Sequence, residues 1–347
     1  MIPVQLPLRL TLDAAALVAN WRWLAGQGGA PAGAAVKADG YGLGARDVVR
    51  HLAGAGCRDF FVATWAEADQ LQLPPDVSLS VLHGARAEDM DAALASSARP
   101  VLNSAAMVTR WKQAAAGRPC DVMVDTGMNR LGLTVEEACS GLLEGLEIDL
   151  LLSHLACADE PGHPLTERQR ALFVEVAGTV PAHRYSLANS AGACLGPAYG
   201  FDLTRPGLAL YGGVPHPAAH GHIRPVAAIE AQVLQVRNVQ PGESVGYGAT
   251  FVAERPTRIA ILNLGYADGY LRAFAGKGGA RLGDLACPLI GRVSMDLIAV
   301  DVGSEAVGEG DWLAIDYRLD EASGLTGLSQ YELLTGLGSR YQRLWTE

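Results

Sequence analysis

Gly33-Ala34-Ala35-Val36-Lys37-Ala38-Asp39-Gly40-Tyr41-Gly42-Leu43-Gly44 is the stretch from which the fold is read. It opens as a short apolar run, 33–36, which reads as a buried strand. A lysine ends the run, and glycines at alternate positions then mark a tight loop. A lysine at the mouth of a buried strand loses hydration, and its amine becomes easier to deprotonate. Such an amine serves as a Schiff-base nucleophile or a general base, or it simply snorkels to solvent.

Strand-like runs recur downstream at 59–64, 79–83, 99–102, 121–125, 150–154, 184–187 and 207–211. Helical segments at 46–54, 66–71, 87–96, 104–116, 136–143 and 165–177 lie between them. With 33–37 this makes eight β–α units, the pattern of a closed (β/α)8 TIM barrel. Before it, 1–10 alternates as a strand and 13–25 is an amphipathic helix. After a Gly-, Pro- and His-bearing linker at 212–221 the texture changes to strands at 227–237, 245–251, 257–263, 288–290, 297–300 and 312–315, with one helix near 329–335. The expected organisation is α/β: a barrel over 11–221 and a second, mostly β domain over 222–347, which the strand 1–10 is free to join.

The formal net charge of −10 disfavours nucleic acid or an anionic membrane as partner. No apolar run reaches bilayer-spanning length, and the N-terminus lacks the pattern of a signal peptide. Cys57, Cys120, Cys139, Cys157, Cys194 and Cys287 form no Cys-x-x-Cys pair, as expected of reduced thiols in a cytoplasmic protein without a metal site.

Active sites of such barrels lie at the C-terminal ends of the strands. Lys37 ends the first strand; Asp125 to Arg130 follow the fifth, Ser153-His154 end the sixth, and Ala188 to Gly192 follow the seventh. Arg205 precedes the last apolar run, so either that strand begins earlier, near Phe201, or Arg205 and Gly207 occupy a loop beside it.

These blocks resemble the bacterial alanine racemase family. The lysine stretch is similar to its pyridoxal-phosphate attachment motif. Asp125-Thr126-Gly127-Met128-Asn129-Arg130-Leu131-Gly132, Ser153-His154-Leu155-Ala156, Ala188-Asn189-Ser190-Ala191 and Arg205-Pro206-Gly207-Leu208-Ala209-Leu210-Tyr211-Gly212 follow in the family's order. So do Val245-Gly246-Tyr247-Gly248-Ala249-Thr250-Phe251, Gly265-Tyr266-Ala267-Asp268-Gly269, Gly291-Arg292-Val293-Ser294-Met295-Asp296, and Tyr331-Glu332-Leu333-Leu334-Thr335 with Arg340-Tyr341.

The resemblance implies interconversion of L- and D-alanine by two bases on pyridoxal 5'-phosphate, with D-alanine destined for peptidoglycan. Lys37 would hold the cofactor covalently and act as one base. Tyr247, supplied by the other subunit of a homodimer, would be the second. His154 would hydrogen-bond Tyr247, and Arg205 would face the pyridine nitrogen. Tyr41, Ser190, Gly207, Leu208 and Tyr341 would hold the phosphate, and Arg130 with the Met295 backbone would hold the substrate carboxylate. Racemases for serine or a basic amino acid, and decarboxylases of the same architecture, are the alternatives; the latter typically bind phosphate with a glycine run that is absent here. Many members carry a carbamylated lysine seven residues before the arginine equivalent to Arg130. Met123 stands there, and a thioether cannot be carbamylated.

Overall fold

Eight short extended segments, most of them rich in apolar residues, assemble the first of two units in a computed structural model that describes residues 5–346. That unit spans Ala16–Arg224; the second combines the start of the chain through Ala15 with Pro225 onward.

The elements of the first part of the chain, in order, are β1 (Leu8–Asp13), α1 (Ala14–Gln27), β2 (Ala34–Ala35), the turn α2 (Lys37–Tyr41), α3 (Ala45–Ala55), β3 (Asp59–Val62), α4 (Trp65–Asp69), β4 (Ser78–Val81), α5 (Met90–Ala95), β5 (Arg99–Leu102), α6 (Ala105–Ala114), β6 (Cys120–Met123), α7 (Val135–Cys139), β7 (Ile148–Leu152), α8 (Pro164–Thr179), β8 (Arg184–Ser186), α9 (Ser190–Ala193) and α10 (Pro197–Gly200). Strands β2 to β8 pair in parallel in sequence order. The apolar ends of the strands are fully buried, as in Phe60-Phe61-Val62 and Leu150-Leu151-Leu152. Helices on the outside and packed side chains inside the barrel make such near-continuous apolar strands the expected outcome.

The eighth position differs from expectation. Residues 207–211 are not a strand: Leu208–Tyr211 forms a tight helical turn. The closing segment is 202–206. Asp202 and Arg205 donate backbone N–H groups to Tyr185 and Ala188 on the β8 side, at 3.0 and 2.8 Å. On the β2 side Thr204 donates to Pro31, while Gly33 and Ala35 donate to Thr204 and Pro206, each at 2.9 Å. The barrel is therefore closed, by a segment that begins near Phe201 and carries Arg205 within it. Its polar sequence, Asp-Leu-Thr-Arg-Pro, hides a strand that the apolar run downstream imitates.

The N-terminal end of the barrel is tied by charge. Arg99 pairs with Asp121 and Asp149, both at 3.0 Å, and Arg184 with Asp59 at 2.9 Å and Asp149 at 2.7 Å. Asp121 is fully buried and also accepts from Ser80 Oγ at 2.5 Å and Leu150 N at 3.1 Å. Burial pushes its carboxyl above the usual range, with Arg99 and Ser80 opposing.

The second unit is built on β9 (Ala227–Val239), a long strand that pairs with β1, β16 (Trp312–Ile315) and β12 (Thr257–Leu262). The remaining strands are β10 (Ser244–Val245), β11 (Phe251–Val252), β13 (Gly279–Leu282), β14 (Leu285–Ile290), β15 (Ile298–Asp301) and β17 (Gln342–Thr346), with helices α11 (Leu319–Thr326) and α12 (Gln330–Thr335). Strand β1 belongs here, between β9 and β17, so the barrel unit begins at Ala16 rather than 11 and ends at Arg224 rather than 221. Of the strand expected at 1–10, residues 1–4 lie outside the described residues. Val239, Val245, Ile259 and Ile290 are among the residues of one core cluster of this unit. Among the described residues no helix is long and apolar enough to cross a membrane.

Removing one member of a buried ion pair leaves its partner uncompensated. Asp121→Ala is expected to lower the urea unfolding free energy by about 3–5 kcal/mol. A loss under about 1 kcal/mol would mean that the charge network does not tie the barrel.

Candidate active site

The site residues of the barrel unit are placed by backbone constraints at the C-terminal strand ends. Lys37 follows β2 directly; the pairing of that strand is extended by Val36 N donating to Phe61 O at 2.8 Å. After Lys37 the chain winds left-handed through Ala38 (φ 52, ψ 48), Asp39 (φ 52, ψ 51), Gly40 (φ 63, ψ 43) and Tyr41 (φ 55). Each non-glycine residue there costs roughly 1–2 kcal/mol, so the surroundings must hold the turn. Asp39 Oδ1 accepts from Ala45 N at 2.9 Å at the start of α3, and Glu67 Oε1 accepts from Ala38 N at 2.9 Å. Burial lowers the proton affinity of Lys37, Arg130 lowers it further, and Glu67 partly restores it.

Arg205 is buried in the barrel wall. Its Nη1 donates to Ser186 Oγ, and its Nη2 to Ser153 O at 2.5 Å. Burial lowers its pKa to about 10, which leaves it cationic at neutral pH. His154 follows β7. Burial and the cations Arg205, Arg130 and Lys37 bring its pKa down to about 3, so the ring is neutral. Those mutual influences place the four residues in one electrostatic neighbourhood.

The phosphate-type cradle is assembled from three elements. Tyr41 stacks on Tyr211 with ring centroids 4.7 Å apart, and the Tyr211 hydroxyl donates to Ala35 O at 2.8 Å. Ser190 Oγ, at the start of α9, accepts from Gly207 N at 2.8 Å and Ala209 N at 3.3 Å. A Cβ built on Gly207 would stand 2.2 Å from the Tyr41 hydroxyl oxygen, so only glycine allows the tyrosine to approach this backbone. Tyr41, Ser190, Gly207 and Leu208 thus come together as expected from their motifs.

Arg130 sits in a loop organised by Asp125, whose carboxylate accepts from the N–H groups of Gly127, Met128 and Arg130 at 2.7 to 2.9 Å. The Arg130 residue is exposed. Met123 ends β6 beneath this loop, where a Cβ on Gly132 would lie 3.1 Å from its Cγ.

Tyr247, Met295 and Tyr341 belong to the second unit. Tyr247 stands between Gly246 (φ 76) and Gly248 (φ 72), and 74% of its surface is exposed; Met295 is also exposed. Tyr341 is different. It is buried, and its hydroxyl donates to Asp268 O at 2.8 Å. That hydrogen bond lies within its own unit.

Two supporting residues escaped sequence reasoning. Gln169 on α8 is fully buried; it accepts from Ala156 N at 2.8 Å and donates to His154 O at 2.9 Å, bracing the histidine loop. Nothing in the sequence distinguishes it from an ordinary helix glutamine. Glu67 had a signal, the Thr64-x-x-Glu67 capping box, but its reach to Ala38 had none.

A lysine at a barrel-strand end, with a neutral histidine, a buried arginine and a hydroxyl-lined backbone cradle, can hold an anionic group beside a nucleophilic amine. Residues 12–215 match the family model of the alanine racemase N-terminal domain, and residues 226–345 that of the C-terminal domain. The chain belongs to the alanine racemase family. It is 44% identical to the alanine racemase of Methylobacterium nodulans, with 98% of this chain and 96% of that protein covered. The crystal structure of alanine racemase from Bartonella henselae with covalently bound pyridoxal phosphate is similar with a TM-score of 0.91 and 36% identity, covering 99% of this chain and 100% of that one. The biosynthetic alanine racemase of Pseudomonas aeruginosa is similar with a TM-score of 0.89 and 34% identity over 99% and 100% of the two chains.

Because His154 is neutral when folded and protonates near 6.5 when unfolded, the unfolded chain gains protons first as pH falls. Stability tied to the neutral ring is complete above about pH 6.5 and is lost from there down toward pH 3. Urea unfolding at pH 7 and pH 5 should show wild type losing about 2 kcal/mol more than His154→Gln over that interval. Equal losses would show that the ring is not held neutral.

Proposed function

We propose that this chain is a pyridoxal-phosphate-dependent alanine racemase, which interconverts L- and D-alanine. The observation that carries the reading is the Lys37 amine, its proton affinity lowered by burial and Arg130, in one neighbourhood with neutral His154 and cationic Arg205. The residues fit the cofactor. The Gly207 backbone is open to close approach, Ser190 Oγ already gathers two N–H groups there, and the Tyr41 hydroxyl reaches the same backbone. Hydroxyls and backbone N–H groups of this kind bind phosphate. When bound, pyridoxal phosphate withdraws electron density from the substrate Cα, which makes its proton removable.

The chain's own residues then do the following. Lys37 would hold the cofactor and move a proton at one face of the substrate Cα, which a neutral amine can accept. Arg205, fixed by Ser186 and Ser153, would stand at the pyridine nitrogen when the cofactor is bound and, being cationic, would leave that nitrogen unprotonated. Arg130 and the Met295 backbone bind the substrate carboxylate. Tyr247 serves the opposite face. Its exposed ring on a Gly-Tyr-Gly turn suits a residue contributed to a second copy of the chain, so the working unit is a homodimer with shared sites. His154, a neutral imidazole, donates a hydrogen bond to that tyrosine. The reaction takes place in the cytoplasm, and its D-alanine supplies peptidoglycan.

The reading is tested by incubating the chain with pyridoxal phosphate and L-alanine in deuterated water and separating the enantiomers. D-alanine deuterated at Cα is expected. Lys37→Ala should lose at least about 10²–10⁴-fold in rate, and Tyr247→Phe should retain exchange on one face while racemisation falls by a similar factor. Faster turnover of serine or lysine, or release of carbon dioxide, would overturn the assignment.

Met123 cannot carry a carbamate beside Arg130, and a bound anion such as chloride, or a nearby side chain, orients that arginine instead. Added bicarbonate should leave the rate unchanged, and chloride should lower KM for alanine. Activation by bicarbonate would refute this.

A further inference from the structure

We infer that Glu67 is a positioning residue for Lys37: its carboxylate fixes the backbone immediately after the lysine and anchors the left-handed turn at the barrel mouth. The inference rests on the proposed role of Lys37 and deepens it.

Three helices in the described residues begin with a Ser/Thr-x-x-Glu capping box, at Thr64, Thr134 and Ser329. In the last two the glutamate serves its own cap. Glu137 accepts from Thr134 N, and Glu332 from Ser329 N and Oγ. Glu67 completes that local task with one oxygen, since Oε2 accepts from Ala63 N at 2.6 Å and Thr64 N at 3.1 Å. Its second oxygen is surplus to capping and accepts from Ala38 N at 2.9 Å, 29 residues away in the chain. One carboxylate thus joins the ends of two neighbouring strands, β2 and β3, at the point where Lys37 leaves the first.

The turn needs such an anchor. Its left-handed residues are intrinsically unfavourable. One flank is not packed against protein, because a cavity of about 580 Å³ opens there, lined by Val36, Ala38, Asp39, Arg46, Asp47 and Glu67. Hydrogen bonds from Glu67 and within the turn replace the missing packing. Glu67 is also the anion that offsets Arg130 at the Lys37 amine; among the described residues, other charged or titratable groups of this region are His154 from the loop after β7, Arg205 in the barrel wall, and Asp39, Arg46 and Asp47 on the cavity side.

The sequence contains only three lysines, Lys37, Lys112 and Lys277, so isotope-labelled reductive methylation of the full chain yields few resonances, and Lys37→Ala assigns the one of interest. Glu67→Gln keeps size and removes charge. Its Lys37 resonance should titrate at lower pH than in wild type, by about half a unit or more. Uptake of pyridoxal phosphate by the cofactor-free chain should slow about 10-fold through loss of alignment. Thr64→Ala removes the cap hydroxyl but leaves the brace; it should lower the melting temperature without moving the Lys37 titration.

An unmoved Lys37 titration in Glu67→Gln would overturn the inference. So would a shift toward higher pH, which is what a disordered, better solvated lysine gives. If Glu67→Gln fails to fold, Glu67→Asp retains the charge but is one methylene shorter. It should keep the titration and still slow uptake, and wild-type uptake would overturn the inference. A wild-type chain that takes up no pyridoxal phosphate would sink the proposed function, while the lysine titration would still decide what Glu67 does.

Discussion

The left-handed turn over residues 38–41 is the constraint on which the barrel site depends. It reverses the chain immediately after Lys37, brings Tyr41 back against Gly207 and Tyr211, and delivers the chain to the start of α3. Three non-glycine residues in this conformation cost several kcal/mol together, at roughly 1–2 kcal/mol each. The cost is offset by hydrogen bonds of high local specificity: Asp39 to the α3 N-terminus, Glu67 to Ala38, and the turn's own Gly42 N to Ala38 O and Gly44 N to Asp39 O. Strain held in this way over-determines one geometry, as a residue that must meet a reacting atom requires.

Charge is arranged in two separate layers of the barrel. At the N-terminal strand ends, arginines and aspartates neutralise one another and knit β3 to β8. At the C-terminal ends, Lys37, Arg130 and Arg205 gather around His154 with few carboxylates to balance them. A cluster of like charges costs stability, and its benefit is chemical. It lowers the proton affinity of the lysine amine, keeps the imidazole neutral and leaves positive potential at the barrel mouth. The aspartates at the opposite end contribute order, and the cations at the mouth contribute function.

The alternation of apolar strands with helical segments made the barrel legible, because every strand but one carries its own hydrophobic signature. The exception shows the limit of such reading. Residues 207–211 look like a strand because they are apolar, yet they are apolar because a helical turn there is fully buried, with Tyr211 reaching Ala35. The segment that does pair, 202–206, is polar because its side chains serve other ends. Arg205 lies in the wall bound to Ser186 and Ser153, and Thr204 carries the backbone bridge to Ala32. Periodicity detects which faces are apolar, and a strand whose inward side chain is an arginine escapes it.

Composition and motif alone determined which chemical groups this protein brings to bear: the lysine, the histidine, the two arginines and the glycines that mark their loops. Those are properties of residue type and local spacing, and they survive without coordinates. Tertiary structure decided what each group is worth. Burial and neighbouring cations lower the proton affinity of Lys37 and His154, and those fields come from residues on other strand ends, dozens of positions away in the chain. It gave the Tyr341 hydroxyl to the Asp268 carbonyl, and it made Glu67, a helix cap by its spacing, also a brace on the lysine loop. Hydrogen-bond partners are chosen by proximity in space, and pairings so distant in the chain leave no periodic trace in the order of residues.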